Sequence, residues 1–374
     1  MAIVKFGDIV RDVKINVDRA NNPYEHYVAG DHMDSEDLTI HHYGSFETDD
    51  VGPAFTRIFK PGQILYGSRR TYLKKVAVAD FEGICANTTF VLESKDEALF
   101  DNRLLPFIML SDAFTRWSIA HSKGSTNPYV LFSDLADYEF DLPPIAEQKV
   151  LADKLWAAYR LKESYKKLLA ATEDMVKSQF IEMFGTLDEP KVEVKKLIDV
   201  VLSSGQYGSN TSATDYQEGK PRYIRITDIN DDGSLNDDIK TAEVIEDKYK
   251  LIPGDIVFAR TGATVGKTYM HETGNAIYAG YLIKYQMDES KMKPAFMKAF
   301  THSKTYYNWV ANSQKIGAQP NISAAQYDKM PVLVPQIKKQ EEFLTIYQQA
   351  DKSGFELRKS IDAIDAVIKS LINS

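Results

Sequence analysis

The sequence predicts an α+β protein in which one unit occurs twice, with a long helix closing each copy. Three observations predict this class: similar segments recur at a constant offset, short β-type runs alternate with turn residues, and two long stretches have apolar residues at helical spacing. The chain has 374 residues, of which 44% are hydrophobic and 26% charged. Such a composition is typical of globular proteins and argues against long disordered segments.

The repeat has an offset of 192 residues, because residues 61–66, Pro-Gly-Gln-Ile-Leu-Tyr, fall on residues 253–258, Pro-Gly-Asp-Ile-Val-Phe. The same offset, without a gap, aligns Lys123 with Lys315, Pro128 with Pro320, and Gln148 with Gln340. Near the start of each copy the register slips, and Tyr27 faces Tyr223 after a short insertion. A single offset kept over so long a stretch indicates two copies of one unit.

The first part of each copy is predicted to be a mixed α+β module. In the first copy it comprises residues 1–144, where runs such as residues 64–66 and 88–92 are rich in β-branched and aromatic residues. Gly, Pro and Asn separate these runs and favour turns. The corresponding module of the second copy is residues 186–335.

A long helix is predicted to follow each module. Residues 145–183 contain no Pro or Gly and place apolar residues at steps of three and four, so the central helix is assigned to residues 145–185, with Gly185 ending it. At 1.5 Å per residue it would be roughly 58 Å long. The second helix, residues 336–374, has the same spacing, but Ser353-Gly354 interrupts it. Because Gly disfavours a helix interior, a kink or break is expected there.

The two long helices are predicted to pair as an antiparallel coiled coil. An apolar stripe on a long helix needs a partner, and the other copy of the same helix is the nearest one available. The alternative is that each helix packs only on its own module.

Sequence motifs predict no catalytic residue, no cofactor and no metal site. Residues 261–268, Thr-Gly-Ala-Thr-Val-Gly-Lys-Thr, resemble a phosphate-binding loop, but Gly262 and Gly266 enclose three residues where that loop needs four. Asn22-Pro23-Tyr24 and Asn127-Pro128-Tyr129 are interpreted as turns. His32, His41 and His42 lie among acidic residues in no ligand spacing, so hydrated surface is the preferred interpretation.

The net charge of −8 argues against a nucleic-acid binder when the chain is taken whole. Charge per segment is more informative. Residues 51–79 carry six Lys or Arg and no acid, whereas residues 31–50 carry seven acids and no Lys or Arg. In the second copy, residues 290–327 are basic and residues 228–247 are acidic. The pattern predicts modules with one basic face that could bind a polyanion and one acidic face.

A cytoplasmic location is expected. The one cysteine, Cys85, cannot form an internal disulfide, and Asp8 stands where a signal peptide would be apolar. No run approaches 18 apolar residues, so no membrane partner is expected.

The two-copy arrangement resembles the specificity subunit of type I restriction-modification systems. Each copy closes with a segment like Leu-Pro-Pro-Ile-Ala-Glu-Gln-Lys at residues 142–149, which is degenerate at residues 334–340, and each such segment opens a long helix. Other stretches resemble segments of that family's target recognition domains, namely residues 66–75, 86–90, 223–229, 254–262 and 319–322.

The resemblance implies a sequence-specific DNA-binding subunit without a catalytic centre. Each target recognition domain would read one half of an asymmetric bipartite site in double-stranded DNA, and the antiparallel helices would hold the domains at a fixed spacing. The implied partners are two methyltransferase subunits and, in the full complex, two ATP-dependent restriction and translocase subunits.

The resemblance also suggests which side chains contact DNA. In the first domain these are Arg69, Arg70, Lys74, Lys75, Lys123 and Asn127. In the second domain they are Arg260, Thr261, Lys267, Lys315, Gln319 and Asn321. Gln206 and Tyr207 lie in a polar loop that could also read bases, although an ordinary turn explains that loop equally well. Thr261-Gly262 replaces Arg69-Arg70 in the second copy, so the two copies need not use equivalent side chains.

Two other functions fit the sequence. A scaffold protein could bind other proteins through the coiled coil, with the modules as polar caps. An enzyme of unrecognised type would require converging acidic groups with perturbed pKa values or a bound metal.

Overall fold

The structure is a computed structural model that describes residues 2–18, 21–313 and 320–373. It divides into two compact units, one formed by Met1–Lys167 and Arg358–Ser374 and the other by Leu168–Leu357. Each unit contains one α+β copy, part of the central helix and part of the C-terminal helix.

The first copy consists of two four-stranded sheets, a two-stranded ribbon and short helices. Its strands are β1 (Ala2–Lys5), β2 (Val10–Asp12), β3 (His26–Val28), β4 (Gly44–Ser45), β5 (Phe55–Phe59), β6 (Ile64–Gly67), β7 (Val76–Val78), β8 (Gly83–Ala86), β9 (Thr89–Ser94) and β10 (Glu139–Leu142). Its helices are α1 (Phe6–Ile9), α2 (Leu105–Leu110), α3 (Asp112–Ala120) and α4 (Phe132–Ala136). The sheet orders are β2-β9-β6-β7 and β4-β3-β8-β5, and β1 pairs with β10.

The second copy repeats the central topology. Its strands are β11 (Glu193–Lys196), β12 (Gln206–Tyr207), β13 (Ala213–Asp215), β14 (Arg222–Ile224), β15 (Lys240–Ala242), β16 (Ile256–Ala259), β17 (Thr268–Met270), β18 (Ala276–Tyr278), β19 (Leu282–Tyr285) and β20 (Pro331–Val334). Its helices are α6 (Pro294–Thr301), α7 (Lys304–Ser313) and α8 (Ala324–Tyr327). The order β12-β19-β16-β17 matches β2-β9-β6-β7, and β11 pairs with β20 as β1 does with β10.

Strand register confirms that the two copies are one fold. Tyr27 pairs with Ile84 in a parallel ladder, and Tyr223 pairs with Ile277 in the equivalent ladder. The tyrosines that the sequence comparison aligned therefore occupy the same place. The copies differ outside this framework, since β4 and β5 flank the parallel pair of the first copy and have no counterpart in the sheet order of the second.

A buried glutamine in the first turn of each long helix attaches the helix to its module. Gln148 Nε2 donates hydrogen bonds to the carbonyl oxygens of Leu99 and Pro143, at 3.0 and 2.8 Å, and its Oε1 accepts one from the Asp101 N–H at 3.0 Å. Gln340 makes the same three bonds, with Lys291, Pro335 and Lys293, at 2.8, 2.8 and 2.9 Å. Every partner is shifted by 192 residues, so both helices leave their modules in the same way.

The long helices, α5 (Ile145–Phe184) and α9 (Ile337–Ile372), pack together in antiparallel directions. In the first unit the Lys162 Nζ lies 2.6 Å from the Asp365 carboxylate. In the second unit the rings of Phe180 and Phe343 are 5.4 Å apart. As the residue number increases along α5, the number of the residue that it contacts on α9 decreases, which confirms the predicted antiparallel helix pair.

Two details of the helix prediction are wrong. Helix α9 runs without a break through Ser353 and Gly354, because one glycine costs only about 1 kcal/mol, which packing along the rest of a long helix can offset. The apolar residues at helical spacing in α5 include Leu161, Leu168 and Met175, which were expected to form a buried stripe but are exposed. The buried positions are Ala152, Leu155, Tyr159, Phe180 and Phe184.

Candidate nucleic-acid interface

The first copy has a loop edge where β6 ends. Ser68 N–H donates to the Thr88 carbonyl at 3.1 Å, and the Ser68 carbonyl accepts from Val130 N–H at 2.9 Å. One turn further, Arg70 N–H donates to the Pro128 carbonyl at 2.7 Å. Main-chain hydrogen bonds therefore hold residues 68–70 against residues 128–130.

The edge presents two arginines. Arg69 and Arg70 are exposed, and the side chain of Arg69 has no ion pair or hydrogen bond with any residue that the structure describes. Arg70 Nε donates to the Asn127 Oδ1 at 3.2 Å, so the structure brings together three of the predicted contacts. The exposed rings of Tyr72 and Tyr129 lie on the same two segments. Sequence reasoning did not select these tyrosines, although an aromatic residue in a polar cationic loop is a signal for base stacking.

The other predicted cations of the first copy have partners within the protein. The Lys74 side chain is only 17% exposed, and its Nζ lies 3.0 Å from Glu36 and 3.4 Å from Asp112. Lys75 Nζ donates to the carbonyl oxygen of Gly30. Lys123 pairs with Asp134 at 2.9 Å, and this hydrogen bond lowers the pKa of the Asp134 carboxyl. All three lysines are thus less available to a ligand than Arg69 and Arg70.

The second copy has the same loop edge. Arg260 N–H donates to the Tyr281 carbonyl at 3.1 Å, and the Arg260 carbonyl accepts from Ile322 N–H at 2.8 Å. Gly262 N–H donates to the Pro320 carbonyl at 3.0 Å. Arg260 therefore stands where the first copy has Ser68, and Thr261-Gly262 stands where it has Arg69-Arg70. The arginine side chains thus stand at different positions in the two copies, although the main-chain hydrogen bonds are equivalent.

Arg260 lies over the ring of Tyr207, with the guanidinium carbon 4.9 Å from the ring centroid. The Tyr207 hydroxyl accepts a hydrogen bond from Ala324 N–H at 3.0 Å. Tyr207 and Gln206 are both exposed, and they form the short strand β12 rather than a free turn. The structure thus places Gln206, Tyr207 and Arg260 along one edge.

The remaining predicted contacts of the second copy divide into three kinds. Asn321 is exposed beside Thr261, with which it forms a β-bridge. Lys267 is partly buried and has partners within the protein, since its Nζ lies 2.8 Å from Asp231 and donates to the Ile229 carbonyl. Lys315 and Gln319 lie outside the described residues. Tyr281, which the sequence analysis did not select, is 61% exposed, and its carbonyl oxygen accepts the hydrogen bond from Arg260 N–H.

The predicted separation into a basic and an acidic face is wrong in part. Lys74 of the basic stretch pairs with Glu36 of the acidic stretch, and Arg57 pairs with the buried Asp12 at 2.9 Å. In the second copy Lys267 reaches into the acidic stretch to Asp231. In each copy the fold thus brings the basic stretch into contact with the acidic stretch. A partly buried lysine is stabilised there by a neighbouring carboxylate.

Asp37, His41 and Glu163 form a cluster whose possible ligand atoms all lie within 4.8 Å of one another. Lys166 Nζ already lies 2.9 Å from Asp37 and 3.0 Å from Glu163. Burial raises the pKa of Asp37, but hydrogen bonds from Lys166, Tyr159 and the Thr39 N–H outweigh it and lower that pKa to about 2. The Lys166 ammonium group thus already pairs with both carboxylates of the cluster, and these ion pairs tie the acidic stretch to α5.

The segment that resembled a phosphate-binding loop forms a single 3-10 turn, Gly262–Thr264, between the antiparallel strands β16 and β17. A triphosphate loop instead joins a strand to an α-helix whose N-terminus faces the phosphates. Within residues 2–18, 21–313 and 320–373, no helix is both long and apolar enough to span a membrane.

Fold and site together define a tandem α+β protein, in which two homologous loop edges of different side-chain chemistry are connected through a pair of long antiparallel helices. The chain belongs to the type I restriction modification DNA specificity domain family, whose sequence model matches residues 22–173 and 189–364. This confirms the resemblance identified in the sequence.

Two relatives show the extent of the similarity. The specificity subunit of the type I restriction enzyme EcoDI from Escherichia coli is 29% identical over 148 residues, which are 40% of this chain and 32% of that one. The EcoKI specificity subunit from Escherichia coli strain K12 is 23% identical over 292 residues, which are 70% of this chain and 62% of that one. The matches thus span less than two thirds of either relative.

Solved structures share the fold. The type I restriction-modification S subunit from M. genitalium aligns with a TM-score of 0.62 at 14% sequence identity, covering 99% of this chain and 94% of that one. A chain from a type I restriction-modification system, solved to explain complex assembly and conformational transition, aligns with a TM-score of 0.56 at 17% identity, covering 99% and 96%. At such identities the likeness concerns the fold alone.

Proposed function

We propose that the chain is the sequence-specific DNA-binding subunit of a type I restriction-modification complex, and that each copy reads one half of a bipartite DNA site. One observation carries this proposal: the two loop edges share their main-chain hydrogen bonds but present different side chains. A framework built from main-chain bonds leaves the exposed side chains free to differ, and reading two unlike half-sites requires such a difference.

The contacts that the structure favours are those that lie at the two loop edges and form no ion pair with a described residue. In the first copy these are Arg69, Arg70 and Asn127. In the second they are Gln206, Tyr207, Arg260 and Asn321. Arginine can bind guanine through O6 and N7, whereas asparagine and glutamine can bind adenine. Lys74, Lys75, Lys123 and Lys267 act first on neighbouring protein groups and contribute less to DNA affinity.

We assign recognition domains to residues 1–144 and 186–335, with the helices of residues 145–185 and 336–374 as spacers. The helices would dock two methyltransferase subunits, and the complete complex would add two restriction and translocase subunits. Exposed Leu161, Leu168 and Met175 on α5 support a protein partner there. The chain itself would have no catalytic centre and would act in the cytoplasm, where its DNA target lies.

The test is selection from a pool of random DNA duplexes, using the full chain together with a methyltransferase subunit of the same restriction-modification system. The expected product is an asymmetric motif with two halves, whose centres are about one helical turn, ~34 Å, apart if both are read from one face. A pool without any enriched motif would contradict DNA reading. Failure of the chain to bind phosphocellulose at low salt would then favour the coiled-coil scaffold.

A further inference from the structure

Arg260 differs from the other arginines of the second copy in how it is held. Arg222 Nη2 donates to the Asn236 carbonyl, and Arg225 pairs with Asp228 and Asp238. Arg260 has no carboxylate or carbonyl partner for its side chain among the described residues, and its Nε, like that of Arg222, is buried without a hydrogen bond. Its terminal nitrogens are not among the buried unpartnered atoms, so they reach solvent.

The guanidinium group of Arg260 can therefore donate hydrogen bonds to a ligand outside the protein. No described residue accepts a hydrogen bond from its side-chain donors, and the contact with the Tyr207 ring restrains the guanidinium without consuming any of them. A fixed planar fork with two free terminal donors matches the O6 and N7 acceptors of guanine, and it does so at less entropic cost than a mobile side chain.

Tyr207 is itself firmly placed. Its hydroxyl accepts from Ala324 N–H at 3.0 Å. The preceding Gly205 donates its N–H to Asp328 Oδ1 at 3.2 Å, and a Cβ added there would lie 2.4 Å from the Tyr285 hydroxyl. A Cβ at the following Gly208 would lie 2.4 Å from two carbonyl oxygens. Positions 205 and 208, which flank the pair Gln206-Tyr207, thus have no room for a Cβ, and this close packing limits the movement of the chain at Tyr207.

The neighbours of Arg260 favour a base over a phosphate as its ligand. Gln206, Tyr281 and Asn321 are uncharged and exposed, and amide side chains are typical readers of base edges. The ammonium group of the nearby Lys267 is paired with Asp231. A surface built to hold a phosphate would be expected to gather several cations.

We propose that Arg260 reads a guanine in the half-site of the second copy and that Tyr207 is its positioning residue. This inference rests on the proposed function. It gives the two copies different ways to read DNA: the first uses arginines that follow the strand, and the second uses one arginine at the end of the strand, stacked on a tyrosine that the first copy lacks.

The experiment is the duplex selection described above, repeated with Arg260→Lys, Arg260→Gln, Tyr207→Phe and Tyr207→Ala in the full chain with its methyltransferase subunit. The wild type is expected to require G·C at one position of one half-site. Both Arg260 variants should lower the preference for that pair by about ten- to hundred-fold. Tyr207→Ala should relax the same position, while Tyr207→Phe, which keeps the ring, should retain it.

The other half-site is the internal control, because its motif should persist in every folded variant. If Arg260→Lys keeps the motif and most of the affinity, Arg260 contacts a phosphate and the inference is overturned. If Tyr207→Ala leaves the position intact while Arg260→Gln relaxes it, the positioning role of Tyr207 is overturned. A wild-type pool without any bipartite motif would overturn the proposed function as well, whereas an intact motif in all variants would overturn only this inference.

Discussion

The loop edges of the two copies are held by the same three main-chain hydrogen bonds, yet they present opposite patterns of side chains. In the first copy a short serine, Ser68, precedes two exposed arginines; in the second copy an arginine, Arg260, precedes Thr261-Gly262. The third residue after the strand has a left-handed backbone conformation in both copies, with φ of +51° at Arg70 and +71° at Gly262. Backbone geometry is therefore shared, and recognition chemistry is free to vary on it.

The acidic stretches differ more deeply. In the first copy, Asp37 is bound by Tyr159 and Lys166 of helix α5, so the stretch is anchored to the helix. In the second copy, Asp228 and Asp238 both pair with Arg225, so the stretch closes on its own module. The two acidic stretches thus differ between the copies, whereas the hydrogen bonds of Gln148 and Gln340 at the helix starts are equivalent.

The largest expected effect tests the shared part of the comparison. Replacing Gln148 or Gln340 by Leu leaves one buried N–H and two carbonyl oxygens without partners, which should cost about 3 kcal/mol in the stability of the affected unit. Urea unfolding should give the two variants losses within about 1 kcal/mol of each other, because the bonds are equivalent. Gln349→Leu, an exposed position on α9, is the control and should change stability by less than about 0.5 kcal/mol. A large loss in one copy and none in the other would break the equivalence.

Acid stability should separate the copies next. The pKa of Asp37 is lowered from 3.8 to about 2, so its contribution is complete above pH 3.8 and is lost as the pH falls through about 2. The difference in unfolding free energy between wild type and Asp37→Asn should therefore shrink by on the order of 2 kcal/mol between pH 5 and pH 2. Asp238→Asn, which removes an exposed carboxyl of the second copy, should show little change over the same range. Equal acid sensitivity of both variants would contradict the anchoring of the first stretch to α5.

The exposed arginines of the first copy give the third test. Arg69→Ala/Arg70→Ala should weaken binding to the selected duplex about tenfold or more and reduce the slope of log affinity against log salt by up to about two, if both contact phosphates. Lys74→Ala is the matched control, since its ammonium is largely buried between Glu36 and Asp112 and should leave the slope unchanged. If Lys74→Ala changes the slope and the arginine pair does not, the choice of contacts in the first copy is wrong.

The smallest effect comes from exchanging the two left-handed residues. Arg70→Gly should raise stability by up to about 1 kcal/mol, because glycine adopts a positive φ without steric strain, while it weakens DNA binding. Gly262→Arg should do the reverse: a loss of up to about 1 kcal/mol and stronger, less selective DNA binding, since no atom lies within 4 Å of an added Cβ. Thermal unfolding and fluorescence anisotropy measure the two effects on the same samples. Changes of the same sign in both variants would show that the two positions are not equivalent.

The repeat could be read from the sequence because it is a one-dimensional signal. Pairs such as Gln148 and Gln340, or Tyr27 and Tyr223, need only a constant offset to be aligned, and the structure gives each pair the same partners or the same register. The long helices were predictable for the same reason, since absence of proline and glycine and a period of three to four are local properties.

The candidate contacts were predicted less well. Sequence alone ranked Lys74 and Lys75 with Arg69 and Arg70, but Lys74 meets Glu36 and Asp112, 38 residues away on either side. The contact of the Arg260 guanidinium with the Tyr207 ring joins residues that lie 53 positions apart, and among the described residues the first copy has no equivalent contact, so no internal repeat could reveal it.

The sequence by itself determined the doubled α+β fold, the long helix that closes each copy and the position at which each helix begins. These follow from local propensity and from a spacing that is repeated along the chain. Only the tertiary structure decided which cations are exposed and which are neutralised, and which aromatic ring holds Arg260 in place. The physical reason is that the availability of a charge depends on the groups within a few ångströms of it, and folding chooses those groups from distant parts of the chain.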